Sequence, residues 1–177
     1  TRRLPSPRVG AVLFEPVGMP PPPPPLCMMD PCSGPSHVSN ACEYGAMEWG
    51  PRALGNRSIL ANPAYENMKD IINLKIKRRE KFRPFAPSIL EEHLDEWFEQ
   101  KLDVPYMSAV FKIKKDKINK LPAVAHVDNT GRLQTVSIKK NQLFHKLIQS
   151  FFKISGVPIL LNTSFNINGE PIVCSPD

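Results

Sequence analysis

The sequence predicts an α/β fold, with a sheet flanked by helices. Residues 109–113 and 132–138 alternate apolar and polar side chains and carry β-branched residues, which is typical of strands. Segments whose apolar residues follow the helical period lie before and after these strands. Because this alternation shows no internal repeat, it favours a layered sheet-and-helix architecture.

Two helices are expected ahead of the first of these strands. The first begins at Pro63, directly after Asn62, because proline is well tolerated as the first residue of a helix. The second covers residues 88–100, where Ser88 and Glu91 have the spacing of a capping box. An apolar stripe follows this box and predicts one buried helix face.

A third helix and a last strand are expected near the end of the sequence. Asn141 is a capping residue ahead of an apolar helical stripe, and Gly156 marks the end of that helix. From Val157 the segment VPILL is apolar enough to be a central strand, and it continues into the polar loop NTSFN.

Residues 1–45 differ from the rest of the chain. They contain a run of prolines from Pro20 to Pro25, which lacks the backbone donors that helices and sheets need. We expect a poorly ordered leader with one short strand at Ala11–Glu15, followed by a globular domain over residues 46–177.

The composition excludes several classes of protein. No apolar stretch is long enough for a membrane span and no signal peptide is evident, so we expect a cytoplasmic protein. The cysteines lack zinc-ligand spacing, so we expect free thiols and no metal site: Cys27, Cys32, Cys42 and Cys174. The net charge of +6 favours anionic partners. Aromatic residues fall mainly on the apolar stripes, which argues against sequence-tolerant nucleic-acid binding.

Four polar clusters fall at the ends of predicted elements, where a fold usually presents functional groups. They are GPRALGNRS, KIKRREKFRPFAPS, HVDNTGRLQTV and LNTSFNINGEP. Their arginines, lysines, hydroxyls and amides suit one compact ligand that carries phosphates. No serine–histidine type of nucleophile and base is evident, so catalysis is expected to come from positioning and electrostatic stabilisation.

Three arginines of these clusters are candidates for anion binding. Arg83 lies in the apolar stretch FRPFAP, and a guanidinium buried there needs an anion to offset its desolvation. Arg52 and Arg132 are the other two. The alternative is a structural ion pair with one of three carboxylates: Glu48, Glu80 or Asp128. The other basic residues of the second cluster are expected to form a solvated helix face: Lys75, Arg78, Arg79 and Lys81.

The loop after the last strand is the remaining candidate. Its side chains would emerge at a carboxyl edge of the sheet, where open α/β sheets bind ligands, and Ser164 and Asn166 are favoured as ligand contacts. The alternative is that these residues only close a turn. His126 is expected to be a hydrogen-bonded structural histidine rather than a base.

Four long motifs resemble, in order and spacing, the C-terminal domain of the O-carbamoyltransferase family of nodulation-factor and antibiotic biosynthesis. The motifs are MEWGPRALGNRSIL, KFRPFAPSIL, HVDNTGRLQTV and GVPILLNTSFNINGEPIV. The resemblance covers about residues 46–177. One departure is Asn129, where the family usually has glycine, which is expected to alter that turn.

The resemblance implies a YrdC-like domain with a twisted mixed sheet. It implies that carbamoyl phosphate and ATP, the latter with Mg²⁺, are converted to a carbamoyl-adenylate. The arginines would neutralise phosphate charge, and Lys77 would hold an oxygen on which charge develops. Ser164 and Asn166 would read the small carbamoyl group by hydrogen bonds. Lys77, Arg83 and Ser164 are expected to be catalytic. The implied ligand-binding residues are Arg52, Lys77, Arg83, Arg132, Ser164 and Asn166.

The family also has an N-terminal domain with a histidine-bound, iron-type metal, which passes the carbamoyl group to a hydroxyl of a small-molecule acceptor. We expect that domain to be absent here, the present domain to be truncated at its C-terminus, and the chain alone to be partial or inactive. The sequence leaves open whether the chain forms a homodimer. The alternative functions are an RNA-binding YrdC-like module, suggested by the basic run from Lys75 to Arg83, and an inactive fragment of a carbamoyltransferase.

Overall fold

Five strands form one mixed sheet in this computed structural model, which describes residues 50–173. In chain order they are β1 (Ser58–Ala61), β2 (Ala86–Leu90), β3 (Ala109–Lys112), β4 (Thr130–Val136) and β5 (Ile159–Ser164). Their order in the sheet is β1-β5-β2-β4-β3. The β2 and β4 strands are parallel, whereas all other neighbours are antiparallel. The predicted α/β class is therefore confirmed, with a mixed sheet.

Short helical segments connect these strands. They are α1 (Met68–Ile71), which continues as a π-helical segment (Ile72–Ile76), a 3₁₀ turn (Glu91–His93) that continues as α2 (Leu94–Trp97), a 3₁₀ turn (Ile118–Lys120), and α3 (Gln142–Ser155). Only α3 is long, at 14 residues, and it crosses one face of the sheet.

The core lies on both faces of the sheet. On β5, Ile159 and Leu161 pack into a cluster with residues from α1 and α2, whereas Leu160 packs into a second cluster beneath α3. This alternation follows from the two-residue period of a strand. Both faces of β5 are therefore covered. This is the arrangement expected of the central strand that the apolar segment VPILL predicts.

Two helix predictions in the first half need correction. The first helix begins at Met68 rather than at Pro63, because the Asn62 side chain accepts a hydrogen bond from the Ala64 amide and forms a turn instead. The predicted helix at residues 88–100 is wrong over its first part. Ser88 is fully buried in β2, where its hydroxyl bonds to Gln134 instead of capping a helix. Strand β1 was not predicted.

The caps of α3 are confirmed. The Asn141 side chain accepts a hydrogen bond from the Phe144 amide at 3.0 Å. Gly156 ends the helix in the left-handed conformation, with φ of 70°. Both caps depend on residues that are close in the sequence, so both ends of this helix could be predicted directly.

Several predictions lie outside the described residues. These are the leader at residues 1–45, its strand at Ala11–Glu15, and the state of the four cysteines. Within the part of the chain that the structure describes, no helix combines the length and the apolar character needed to cross a bilayer.

Gly55 joins the segment after Arg52 to β1 and packs against α3. Its φ is +125°, and an added Cβ would lie 2.5 Å from Cδ1 of the buried Phe144 ring. We expect Gly55→Ala to lower the free energy of unfolding by about 2–4 kcal/mol, since backbone strain and overpacking both contribute. Gly169→Ala is the matched control, because Gly169 also has positive φ but no atom within 4 Å of the added Cβ. Equal losses in chemical denaturation of the two variants would contradict this prediction.

Candidate functional site

A cavity of about 500 Å³ lies where β5 ends and β2 begins. Three arginines line it: Arg52, Arg79 and Arg132. Polar residues from β5 form part of the wall, among them Ser164 at the end of that strand. The cavity therefore lies at the carboxyl end of β5, as expected for the NTSFN loop. The antiparallel neighbour β2 begins there instead.

Lys77 is fixed against the end of β5. It follows the π-helical segment, and it is buried, with 3% of its surface exposed. Its Nζ donates to the Ser164 Oγ at 3.1 Å and to the Asn166 Oδ1 at 2.9 Å, and it also contacts the carbonyl oxygens of both residues. The Ser164 hydroxyl in turn donates to the Asn166 Oδ1 at 2.5 Å. Lys77 thus forms one polar cluster with Ser164 and Asn166, which lie 87 and 89 positions further along the chain.

Burial and, to a smaller extent, the positive charge of Arg79 together lower the pKa of Lys77 to about 8. The described residues bring oxygen acceptors to this ammonium but no carboxylate. A buried cation without a counter-ion is a site where an anionic ligand would be stabilised.

Arg132 and Arg52 form a second positive region of the same cavity. Arg132 lies on β4, and its Nε donates to the Met107 carbonyl at 3.1 Å, which fixes the side chain. Burial lowers the pKa of Arg132, and the nearby charge of Arg52 adds to this effect. Two like charges beside one cavity repel one another unless an anion lies between them.

The structure separates Arg83 from the cavity and brings Arg79 to it instead. The Arg83 side chain is 47% exposed and pairs with Glu80 at 2.8 Å, so the expected burial of Arg83 is not found. Arg79 lies 4.9 Å from the centre of the Phe85 ring, and its Nε donates to Asn73 at 2.7 Å. Burial lowers the pKa of Arg79, with a further contribution from Arg83. The sequence predicts a solvated helix face for Arg79, and this prediction is wrong. Nothing in the sequence separates it from Arg78, which is exposed as expected.

A buried polar network holds the backbone beside Arg52. The Ser88 hydroxyl donates to the Gln134 Oε1 at 2.6 Å, and the Asn162 amide donates to the same oxygen at 3.0 Å. The Gln134 amide donates to the Leu54 carbonyl, and the Asn162 amide donates to the Ala53 carbonyl. Three neighbouring strands therefore fix the position of the segment that carries Arg52.

Of the six predicted site residues, the structure brings five together. Three of them line the cavity: Arg52, Arg132 and Ser164. Lys77 and Asn166 lie directly against Ser164. Arg83 remains outside this group, paired with Glu80.

Comparison with known proteins identifies the family of this chain. Residues 38–177 match the family model described as carbamoyltransferase C-terminus. The chain belongs to the carbamoyltransferase C-terminus family. The predicted resemblance is therefore confirmed at the level of the family.

Several nodulation proteins are similar to this chain. Nodulation protein NolNO of Sinorhizobium fredii is 55% identical over 134 residues, which cover 74% of this chain and 20% of that protein. Nodulation protein NolO of Bradyrhizobium diazoefficiens is 53% identical, with 74% and 24% covered. Nodulation protein U of Rhizobium tropici is 42% identical, with 71% and 22% covered. This family member thus spans about a fifth to a quarter of the length of these relatives.

Proposed function

We propose that this chain binds carbamoyl phosphate and ATP and forms a carbamoyl-adenylate. The observation that carries the proposal is the buried Lys77 ammonium, held by Ser164 and Asn166 at the edge of a cavity lined by three arginines. An enzyme of this kind must bind two phosphate-bearing substrates, and arginine and lysine donors suit phosphate oxygens. The family assignment supports the carbamoyl group as the part that is transferred.

The proposed reaction is a phosphoryl substitution at the α-phosphorus of ATP. Hydrolysis of carbamoyl phosphate consumes one water molecule and yields carbamate and phosphate. A carbamate oxygen then bonds to the α-phosphorus, the bond to the β-phosphate oxygen breaks, and pyrophosphate leaves. Arg52, Arg79 and Arg132 would neutralise phosphate charge, and Lys77 would stabilise the oxygen on which negative charge builds up.

Magnesium would accompany ATP in this proposal. The described residues contain no group of three or more His, Cys, Asp or Glu side chains that could hold an ion. The phosphates of ATP and water would therefore supply most ligands of Mg²⁺, as is common for this ion. Transfer to the hydroxyl of an acceptor would take place in another domain, which would hold the iron-type metal.

Thermal unfolding with carbamoyl phosphate and with ATP tests the proposal. A ligand at 100 times its Kd should stabilise the native chain by about 2.7 kcal/mol, which raises the midpoint by several degrees. No shift with either ligand would contradict the proposal. Binding of RNA with a steep salt dependence, in place of these ligands, would favour the alternative of an RNA-binding module.

Arg132→Ala should weaken the binding of carbamoyl phosphate by about 10- to 100-fold, because a charged donor to the phosphate is lost. Arg78→Ala is the control, since Arg78 is exposed and lies outside the cavity. Dissociation constants of both variants can be measured from the ligand dependence of the unfolding midpoint. Equal affinities of the two variants would show that Arg132 does not contact the phosphate.

A further inference from the structure

Two acceptor atoms without a hydrogen-bond partner belong to residues that line the arginine cavity. Among residues 50–173, three buried side-chain polar atoms have no partner: His126 Nε2, His145 Nδ1 and Asn162 Oδ1. His126 and Asn162 both line the cavity, whereas His145 lies on α3 and does not. Because buried polar atoms are nearly always paired, two such atoms beside one cavity need an explanation.

The orientation of the Asn162 side chain follows from its neighbours. The carbonyl oxygens of Ala53 and Leu54 can only accept, so the Asn162 Nδ2 must face the first and the Gln134 Nε2 must face the second. The Gln134 Oε1 then accepts from Ser88 and from Asn162. An exchange of the amide oxygen and nitrogen of Asn162 would place two acceptors against each other. The Asn162 Oδ1 is thus left as an acceptor on a side chain that is 2% exposed.

The hydrogen bonds around His126 fix which of its nitrogens is the acceptor. The Thr130 hydroxyl donates its only hydrogen to the Asp128 carboxylate at 2.7 Å. It must therefore accept from the His126 Nδ1, which lies 3.1 Å away. Burial lowers the pKa of His126, so the ring is neutral near pH 7 and its Nε2 carries a lone pair.

We propose that Asn162 Oδ1 and His126 Nε2 bind the NH₂ group of the carbamoyl moiety. The arginine donors of the cavity suit the phosphate end of the ligand, and the two unpartnered acceptors, which belong to residues that line the cavity, suit a group with two N–H donors. The proposal rests on the proposed function and deepens it by naming the residues that would distinguish a carbamoyl group from an acetyl group. Acetyl phosphate, which has a methyl group in place of NH₂, would leave both acceptors unpaired.

The adenine ring of ATP also carries an NH₂ group, so the two sources must be distinguished. The probes are carbamoyl phosphate, acetyl phosphate and ATP, each added alone to the full chain. Their dissociation constants are measured from the ligand dependence of thermal unfolding. The decisive quantity is the ratio of the acetyl phosphate Kd to the carbamoyl phosphate Kd, because general damage to the fold weakens both compounds equally.

We expect the unchanged chain to prefer carbamoyl phosphate by tenfold or more. His126→Leu and Asn162→Ala should each move the ratio towards one and leave the affinity for ATP unchanged. His126→Gln should restore part of the preference, since a glutamine oxygen can replace the imidazole acceptor. Ser88→Ala is the matched control. It removes two bonds of the same buried network, one to Gln134 and one from the Asn162 amide, but leaves the Asn162 Oδ1 in place, so it should lower stability without moving the ratio.

Three results would overturn the proposal. The first is a ratio near one in the unchanged chain, which needs no variant and so holds even if Asn162→Ala fails to fold. The second is an equal loss of affinity for carbamoyl phosphate and acetyl phosphate in the variants of His126 and Asn162, which would show that these two residues have a structural role. The third is a loss confined to ATP, which would assign these acceptors to adenine. Equal binding of both acyl phosphates leaves the proposed function standing, whereas binding of neither overturns that function as well.

Discussion

Lys77→Met should reduce the affinity of the chain for carbamoyl phosphate by at least about 100-fold. The Lys77 ammonium is buried beside Ser164 and Asn166, and a charge that contacts an anion away from water contributes far more to binding than an exposed charge does. Methionine has a similar length and can keep the packing of the lysine stem, so the loss should come from the missing ammonium charge and its bonds to Ser164 and Asn166. Titration of the unfolding midpoint with carbamoyl phosphate measures the effect.

Lys75→Met is the matched control for this variant. Lys75 lies in the same π-helical segment but is exposed to solvent. The substitution removes the same charge from the same stretch of chain, and the affinity should change by less than about threefold because surface charges contribute little. Similar losses in the two variants would show that the net charge of this stretch, rather than the buried ammonium, governs binding.

The affinity for carbamoyl phosphate should fall as the pH rises above about 8. Burial lowers the pKa of Lys77 to about 8, so its ammonium is charged below that pH and becomes neutral above it. A bound dianion favours the charged form. Above pH 8 the binding of ligand therefore requires uptake of a proton, and the affinity should drop by about tenfold per pH unit. The second ionisation of a phosphate monoester, near pH 6, is already complete and does not contribute to this slope.

Lys77→Met supplies the test of this assignment. Its affinity should be low and independent of pH between about 7.5 and 9.5, because the arginines keep their charge throughout that range. Calorimetric titration in two buffers of different ionisation enthalpy would also detect the proton that the unchanged chain takes up. Constant or rising affinity of the unchanged chain over this range would contradict the assignment to Lys77.

Local chemistry explains which parts of the fold could be predicted. Asn141 and Gly156 define α3 through bonds made within a few residues, and the prediction of that helix is confirmed. Ser88 and Glu91 have the spacing of a helix cap, yet pairing with β4 and β5 places Ser88 in a strand instead. These partners lie far away in the sequence, so local spacing could not show them.

The site residues likewise divide into those that the sequence indicated and those that it did not. The resemblance to the family singled out Lys77, and the loop after the last strand singled out Ser164 and Asn166; the structure places these three residues in contact. The position of Arg79 could not be predicted, because its approach to the cavity depends on contacts with Asn73 and Phe85 after the chain has folded.

The turn before β4 contains Asn129, at a position where the resemblance implies glycine and where asparagine is expected to alter the turn. The Asn129 φ of 61° lies in the left-handed region. Asparagine and glycine both adopt this region readily. This conformation is therefore one that either residue could hold.

The position of β5 has a consequence for synthesis of the chain on the ribosome. Of the described strands β5 is made last, yet it lies between β1 and β2 in the sheet. Until residues 159–164 leave the ribosome, β1 has no partner among the described strands and one edge of β2 is open, which makes the nascent chain prone to wrong pairing. The same strand ends at Ser164, which binds Lys77. Completion of the described sheet and formation of the ligand pocket should therefore occur in one step, once β5 has been made.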